Sequence, residues 1–174
     1  MNVRKFEKSQ TIKVVIIEAT GPSFSAGHDL IEVIQSAKSE RMLLNLFRKC
    51  SKMMLSIRHL PQPVMACVDG IAAAAGCQLV ASCDLAFASK NSYFQTPGVN
   101  IGLFCSTPMV AVSRKINRKK MMEMLLLGDK IDSRTAVEHG LINRSVPGKL
   151  LKETVSPVGT KLACKSPLTL KIGT

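Results

Sequence analysis

The sequence has no tryptophan, one tyrosine and six phenylalanines in 174 residues. So few rings leave little on which bases could stack, which weighs against the aromatic platforms of single-strand nucleic-acid binders. Acidic residues are also scarce. They number 12 against 24 Lys and Arg, and the net charge of +12 points to an anionic partner: nucleic acid, an acidic membrane surface or a phosphate-bearing small molecule. The six cysteines, Cys50, Cys67, Cys77, Cys83, Cys105 and Cys164, include no CxxC pair. Without such pairs a zinc or disulfide framework is not indicated, and the cysteines read as reduced thiols, mostly in apolar surroundings. No metal site is expected. Asp69 and Gln78 break the longest apolar stretch before it reaches the roughly 18 residues of a membrane span, so the chain reads as soluble. Residues 1–13 are basic and polar without an apolar stretch, which excludes a secretory signal, and no mitochondrial presequence is evident.

Charge is missing from the middle of the chain. Residues 61–112 carry only Asp69, Asp84 and Lys90, whereas the segments before and after hold nearly all of the basic excess. Charged side chains are seldom fully buried without partners, so this stretch is read as the core and the site. With 46% apolar residues, a single domain of this length can bury most of its surface.

The elements alternate along the chain. Residues 11–19 form a β-branched run ending at Gly21-Pro22, a buried strand entering a turn. A loop over 23–28 leads to Asp29, which can cap a short helix. A second helix over 39–58 spaces Leu43, Leu46, Phe47, Cys50, Met54 and Ile57 on one face, read as packed on the core with its basic side in solvent rather than on a membrane. Pro61 and Pro63 stop it, and 64–68 reads as a strand ending in the Asp69-Gly70 turn. The run of small residues from Gly70 to Gly76 is read as opening a helix that continues through Gln78 to Cys83. Residues 85–88 and 93–95 are short strands with a turn at Pro97-Gly98. Helices follow over 107–115, 119–127 and 133–139, then an extended piece over 141–146. Pro157 and Gly159 interrupt the pattern over 150–164, which predicts a frayed tail. Strand and helix in alternation indicate an α/β fold with a mainly parallel sheet.

Two segments carry the chemistry: Phe24-Ser25-Ala26-Gly27-His28-Asp29-Leu30, and Val68-Asp69-Gly70-Ile71-Ala72-Ala73-Ala74-Ala75-Gly76-Cys77-Gln78-Leu79 leading to Cys83-Asp84. Further matches are Phe94-Gln95-Thr96-Pro97-Gly98, the segment Gly102-Leu103-Phe104-Cys105-Ser106-Thr107-Pro108, and Ala136-Val137-Glu138-His139-Gly140-Leu141-Ile142 with Val146-Pro147. In order and spacing these resemble the signature loops of the crotonase, or enoyl-CoA hydratase/isomerase, superfamily. The resemblance implies a ClpP-like ββα spiral core over 1–147, with an incomplete N-terminal strand. It implies that 148–174 is a frayed remnant of the C-terminal helical region. Relatives begin earlier and end later and form homotrimers, so this shortened chain is expected to expose a sheet edge and apolar surface and to lack trimer-forming helices.

The resemblance also implies a site. The backbone N–H groups of His28 and Ala75 would form an oxyanion hole for the carbonyl of a CoA thioester, with Ser25, Ala26, Leu30 and Cys105 binding substrate. The ligand would be acyl-CoA, with no further cofactor. At the positions of the family's two acid–base glutamates this chain has Gln78 and Gly98. An amide does not titrate and a glycine has no side chain, so the acid–base pair is lost. If only the acid–base groups are absent, Gln78→Glu with Gly98→Glu should return some hydratase activity in a full-length relative. His28 or Cys105 as substitute chemistry is weighed against an exposed loop histidine and a small buried thiol. His59 and His139 read as helix-end residues, and Asp69 and Asp84 as turn residues. The reading that results is a CoA-thioester binder of mitochondrial fatty-acid metabolism with little or no hydratase activity, the cytoplasm being the alternative compartment. An active hydratase or isomerase is the second reading. An RNA binder using Arg114-Lys115 and Arg118-Lys119-Lys120 is the third, and nucleic acid is the least supported partner.

Overall fold

The computed structural model describes Phe6, Ser9 and residues 11–173. Most of the basic opening segment, residues 1–13, therefore lies outside the described residues. The chain winds as repeated ββα turns in which each pass gives one strand to each of two sheets. The first sheet runs β1 (Val15–Ile17), β3 (Val64–Val68), β5 (Leu85–Ser89) and β8 (Arg144–Val146), all parallel. The second runs β2 (Ser23–Ser25), β4 (Ile71–Ala73) and β6 (Tyr93–Gln95) in parallel, with β7 (Ile131–Asp132) antiparallel at its edge.

The mainly parallel α/β architecture holds, but two segments read otherwise are strands. Residues 23–25, read as loop, pair as β2, with Phe24 buried between two half-buried serines. Residues 71–73, read as the opening of a helix, pair as β4 between β2 and β6. Alanine is a poor strand former, and here the two neighbouring strands decide by taking up the backbone hydrogen bonds that a lone segment could not satisfy.

β3 is buried at every residue and forms the centre of the core. Asp84, read from sequence as a turn residue, instead reaches 20 positions back, accepting the Val64 N–H at 2.7 Å and fixing the start of β3. Three helices matter for the site: α1 (Leu30–Ser36), α2 (Glu40–Arg58) and α3 (Ala75–Ser82). Asp29 caps α1 by accepting the Ile31 N–H at 2.8 Å. Only the end of α2 is buried, at Met54 and Ile57, while its first half lies against α1 with Phe47 exposed. The core-packed reading of this helix thus applies to its last turns alone.

After the short 3-10 turn Pro97–Ile101 come α4 (Ser106–Val112), α5 (Arg118–Leu127) and α6 (Ser133–Glu138). The expected fraying around Pro157 is not observed, because α7 (Leu151–Ala163) runs through it. Leu151 and Val155 pack on Met65, Cys67 and Phe87, and Gly159 brings the helix close to Ile16. That burial offsets the missing proline N–H. A last helix, α8 (Pro167–Gly173), follows. Among the described residues no helix is long and apolar enough to cross a membrane, and no group of three or more His, Cys, Asp or Glu is placed to hold a metal ion.

Candidate active site

Two loops meet where the second sheet hands over to α3. Gly27 adopts φ +103°, which an L side chain rarely tolerates, and the space beside it is also taken. A Cβ there would stand 3.0 Å from the Ala74 Cβ, 3.2 Å from the Ala73 oxygen and 3.3 Å from the Ala75 nitrogen. One residue on, a Cβ on Gly76 would run into the Ser25 carbonyl. Glycine at both positions lets the two backbones touch.

Ala74 is the one non-glycine with positive φ among the described residues, at +49°. Strain of this kind persists only where the surroundings hold it, and here its N–H donates to the Gln95 oxygen at 2.9 Å. Gln95 is itself anchored, its Nε2 donating to the Gly128 carbonyl at 2.7 Å, while Thr96 Oγ1 donates to the Met124 carbonyl at 2.9 Å. The strained residue turns the chain so that α3 starts at Ala75, whose N–H has no helical acceptor. Among the described residues no protein group accepts from the N–H of His28 or of Ala75.

Both residues line a cavity of about 480 Å³. Ala26, Ala74, Gly98 and Cys105 also line it. A second set consists of Leu30, Val33 and Phe47 from the α1–α2 hairpin with Ile101, Leu103 and Phe104 from the following loop. The His28 ring meets Phe47 edge-on, with centroids 5.2 Å apart. Among the described residues no Asp, Glu, Lys or Arg is in the lining.

Of the site residues read from sequence, His28, Ala75, Ala26, Leu30, Gly98 and Cys105 come together on this cavity. Ser25 does not; its Oγ accepts the Gly27 N–H at 3.4 Å and its carbonyl abuts Gly76, so it supports the turn from behind. Gln78 also stands outside the lining. It lies one turn into α3, half-buried, its N–H donating to the Ala74 oxygen and its buried Oε1 without a partner. Gly98 has ordinary φ, yet a Cβ would lie 2.9 Å from both the Leu103 oxygen and Cys105 Sγ. The Gly98 N–H donates to that sulfur at 3.3 Å. Burial raises the Cys105 thiol, and the Gly98 N–H only partly opposes the rise, so the thiol stays protonated at neutral pH and is a poor nucleophile. Val33, Phe47, Ile101 and Asn100 were missed in the sequence, because nothing local distinguishes a cavity wall from a core face.

His59 and His139 sit at the C-terminal caps of α2 and α6, and His139 Nδ1 is 2.9 Å from Asn117 Nδ2. The basic run at the start of α5 is exposed except for Lys120, which pairs with Glu123 at 2.6 Å.

The enoyl-CoA hydratase/isomerase family model matches residues 2–173. Enoyl-CoA hydratase domain-containing protein 3, mitochondrial, from Rattus norvegicus is 48% identical over 166 residues, covering 95% of this chain and 55% of the relative. The Homo sapiens protein of that name is 48% identical over 165 residues, covering 95% and 54%. The chain thus spans about half the length of these curated relatives. Among solved structures, an enoyl-CoA hydratase of Mycobacterium smegmatis superimposes with a TM-score of 0.94 at 41% identity, covering 98% of this chain and 66% of that one. Human enoyl coenzyme A hydratase domain-containing protein 3 does so with 0.94 at 46% identity, covering 98% and 67%. Taken with the meeting of its two signature loops, these likenesses establish that the chain belongs to the enoyl-CoA hydratase/isomerase family, the crotonase superfamily.

Proposed function

We propose that this chain binds acyl-CoA thioesters through a two-amide oxyanion site and does not hydrate them. The observation that carries the reading is the cavity itself: it brings His28 and Ala75 together and, among the described residues, leaves their N–H groups without protein acceptors and has no carboxylate in its wall.

In this reading the thioester carbonyl oxygen accepts from both N–H groups. A donor of this kind contributes about 2.7–4 kcal/mol to stabilising an oxyanion, and the N-terminus of α3 adds its partial positive charge behind Ala75. The carbonyl is polarised, but nothing follows. Adding water across an adjacent double bond needs one group to take a proton from water and another to deliver one to the α-carbon. Gln78 cannot titrate, Gly98 has no side chain, and the Cys105 thiol is raised by burial. Each missing acid–base group removes typically 10²–10⁴-fold in rate. The names of the mitochondrial relatives support a mitochondrial setting.

The test is calorimetric titration of the 174-residue chain with acyl-CoA and with CoA alone, beside a crotonyl-CoA hydration assay. The expected result is tighter binding of the thioester and no turnover. Equal affinity for CoA and acyl-CoA would remove the oxyanion role, and hydration above background would favour an active enzyme.

A further inference from the structure

We propose that the α1–α2 hairpin is a docking surface that lays its outer face on an anionic lipid bilayer. None of the residues that carry the inference lines the cavity, so it stands apart from the thioester reading.

The spacing over 39–58 predicts a helix packed on the core, yet α2 buries only Met54 and Ile57. On the side of α2 turned away from them lies a stripe at helical spacing: Arg41, Leu44, Arg48, Lys52 and Leu55. All five are exposed, Leu44 at 44% and Leu55 at 51%. α1 adds Ile31 and Ile34, one turn apart on a short helix whose buried residue is Ser36, and they are 66% and 67% exposed. Large aliphatic side chains left in water on one hairpin mark an interaction surface.

Charge decides what covers it. From Arg41 to Arg58 the helix carries five basic residues, Arg41, Arg48, Lys49, Lys52 and Arg58, and no acidic one. Lys38, in the turn between the helices, is a sixth. Among the described residues none of the six is in an ion pair, and within the hairpin only Glu32 and Glu40 oppose them. Unpaired cations set between aliphatic side chains complement a negatively charged headgroup layer. The isoleucines and leucines enter the edge of the acyl region, while the Lys and Arg stems lie along it and keep their charges among the headgroups. A second copy of this face is a poorer occupant, because a two-fold contact would set the same cations against one another. A nucleic acid would take the cations and leave the isoleucines in water.

The experiment is cosedimentation of the 174-residue chain with phosphatidylcholine vesicles, with and without roughly one-third phosphatidylserine, at low and high salt. Binding is expected to the anionic vesicles alone and is expected to weaken as salt rises. Arg48→Gln with Lys52→Gln should weaken it about 25-fold, which is about 1 kcal/mol per basic residue converted at 1.4 kcal/mol per tenfold. Ile31→Ser with Ile34→Ser should weaken it roughly ten-fold or more. All four side chains are exposed, and circular dichroism verifies the fold. Because the chain has no tryptophan, Ile34→Trp supplies a single reporter, whose emission should move to the blue on anionic vesicles and be quenched by brominated acyl chains. Failure of the folded wild-type chain to bind anionic vesicles overturns the proposal, as does equal binding to neutral ones. Vesicle binding that survives both pairs of substitutions, or a reporter at position 34 whose emission does not change, overturns the assignment to this hairpin. Binding lost with the charges but indifferent to the isoleucines reduces the face to a general polyanion contact and overturns bilayer docking. Self-association in sedimentation equilibrium that is abolished by Ile31→Ser with Ile34→Ser, without vesicle binding, assigns the face to a second copy instead.

Discussion

Gly27 lies in the loop after β2 and Ala75 begins α3, yet a Cβ on Gly27 would stand 3.3 Å from the Ala75 nitrogen. The N–H groups of His28 and Ala75 share one cavity because of this contact, and it gives the first prediction. Gly27→Ala meets both an unfavourable φ of +103° and the crowding of Ala73 and Ala74. Gly21→Ala separates the two effects, because Gly21 has φ +104° with nothing within 4 Å. Both variants should lose about 1–3 kcal/mol by denaturant unfolding from backbone strain, Gly27→Ala the more. Only Gly27→Ala should lose acyl-CoA affinity. Wild-type affinity in a folded Gly27→Ala protein would end the two-amide interpretation.

Gln78→Glu places a carboxyl where the present Oε1 is buried without a partner. Desolvation should lift its pKa above the ordinary glutamate value of about 4.3. The folded state then holds the proton more tightly than the unfolded one. Stability relative to wild type should be highest below about pH 4.3, fall as pH rises to the elevated folded value, and level off above it. Thermal midpoints of both proteins from pH 4 to pH 8 measure this, and parallel curves would place position 78 in contact with solvent.

Gly98→Glu should fail for lack of space. Its Cβ would lie 2.9 Å from the Leu103 backbone oxygen, which has little freedom because the Leu103 N–H is bonded to the Gly98 oxygen at 2.9 Å. Gly98→Ala alone should cost about 1–3 kcal/mol, the usual penalty of overpacking. Adding Cys105→Ala should recover only part of it, since the Leu103 oxygen remains. For the same reason the double change Gln78→Glu with Gly98→Glu, expected from sequence to return some hydration in a full-length relative, should give no turnover in this chain. Measurable crotonyl-CoA hydration by the folded double variant would show that the loop yields.

The thiols should react in an order set by burial. Cys164 is exposed and should be alkylated first at pH 7 under native conditions. Cys105 and Cys50 should follow slowly, both raised by desolvation. Cys77 and Cys83, buried and pushed up to about 12, should stay unlabelled until the protein unfolds. Peptide mapping by mass spectrometry gives the order, and early labelling of Cys77 would contradict the packing of α3.

Asp132 caps α6 by accepting the Thr135 N–H at 2.7 Å, and that bond holds its carboxyl below the ordinary value of 3.8. The stabilisation is complete above pH 3.8 and is lost as pH falls through the lower folded value. Asp132→Ala should cost about 1 kcal/mol at pH 7, while Asp132→Asn should keep most of the cap and lose its acid sensitivity. Urea unfolding at pH 7 and pH 3 distinguishes the three proteins.

Much of the site was already legible in the sequence. The order of the two glycine-bearing segments, the uncharged stretch over 61–112, and the lack of a titratable group at Gln78 and Gly98 are properties of residue identity. The start of α1 was legible for the same reason, since Asp29 caps through its own side chain. What the sequence could not decide depended on neighbours distant in the chain. Residues 71–73 are a strand only because β2 and β6 lie on either side, and α7 passes through Pro157 only because Met65 and Phe87 cover its face. Phe47 and Phe104 look like core residues in any local window, and it is the meeting of the α1–α2 hairpin with the loop after Pro97 that puts them at a cavity mouth. Capping and the loss of a titratable group act over a few bonds and can be read along the chain. Strand pairing, helix packing and cavity shape arise from surfaces that meet only when the chain is folded.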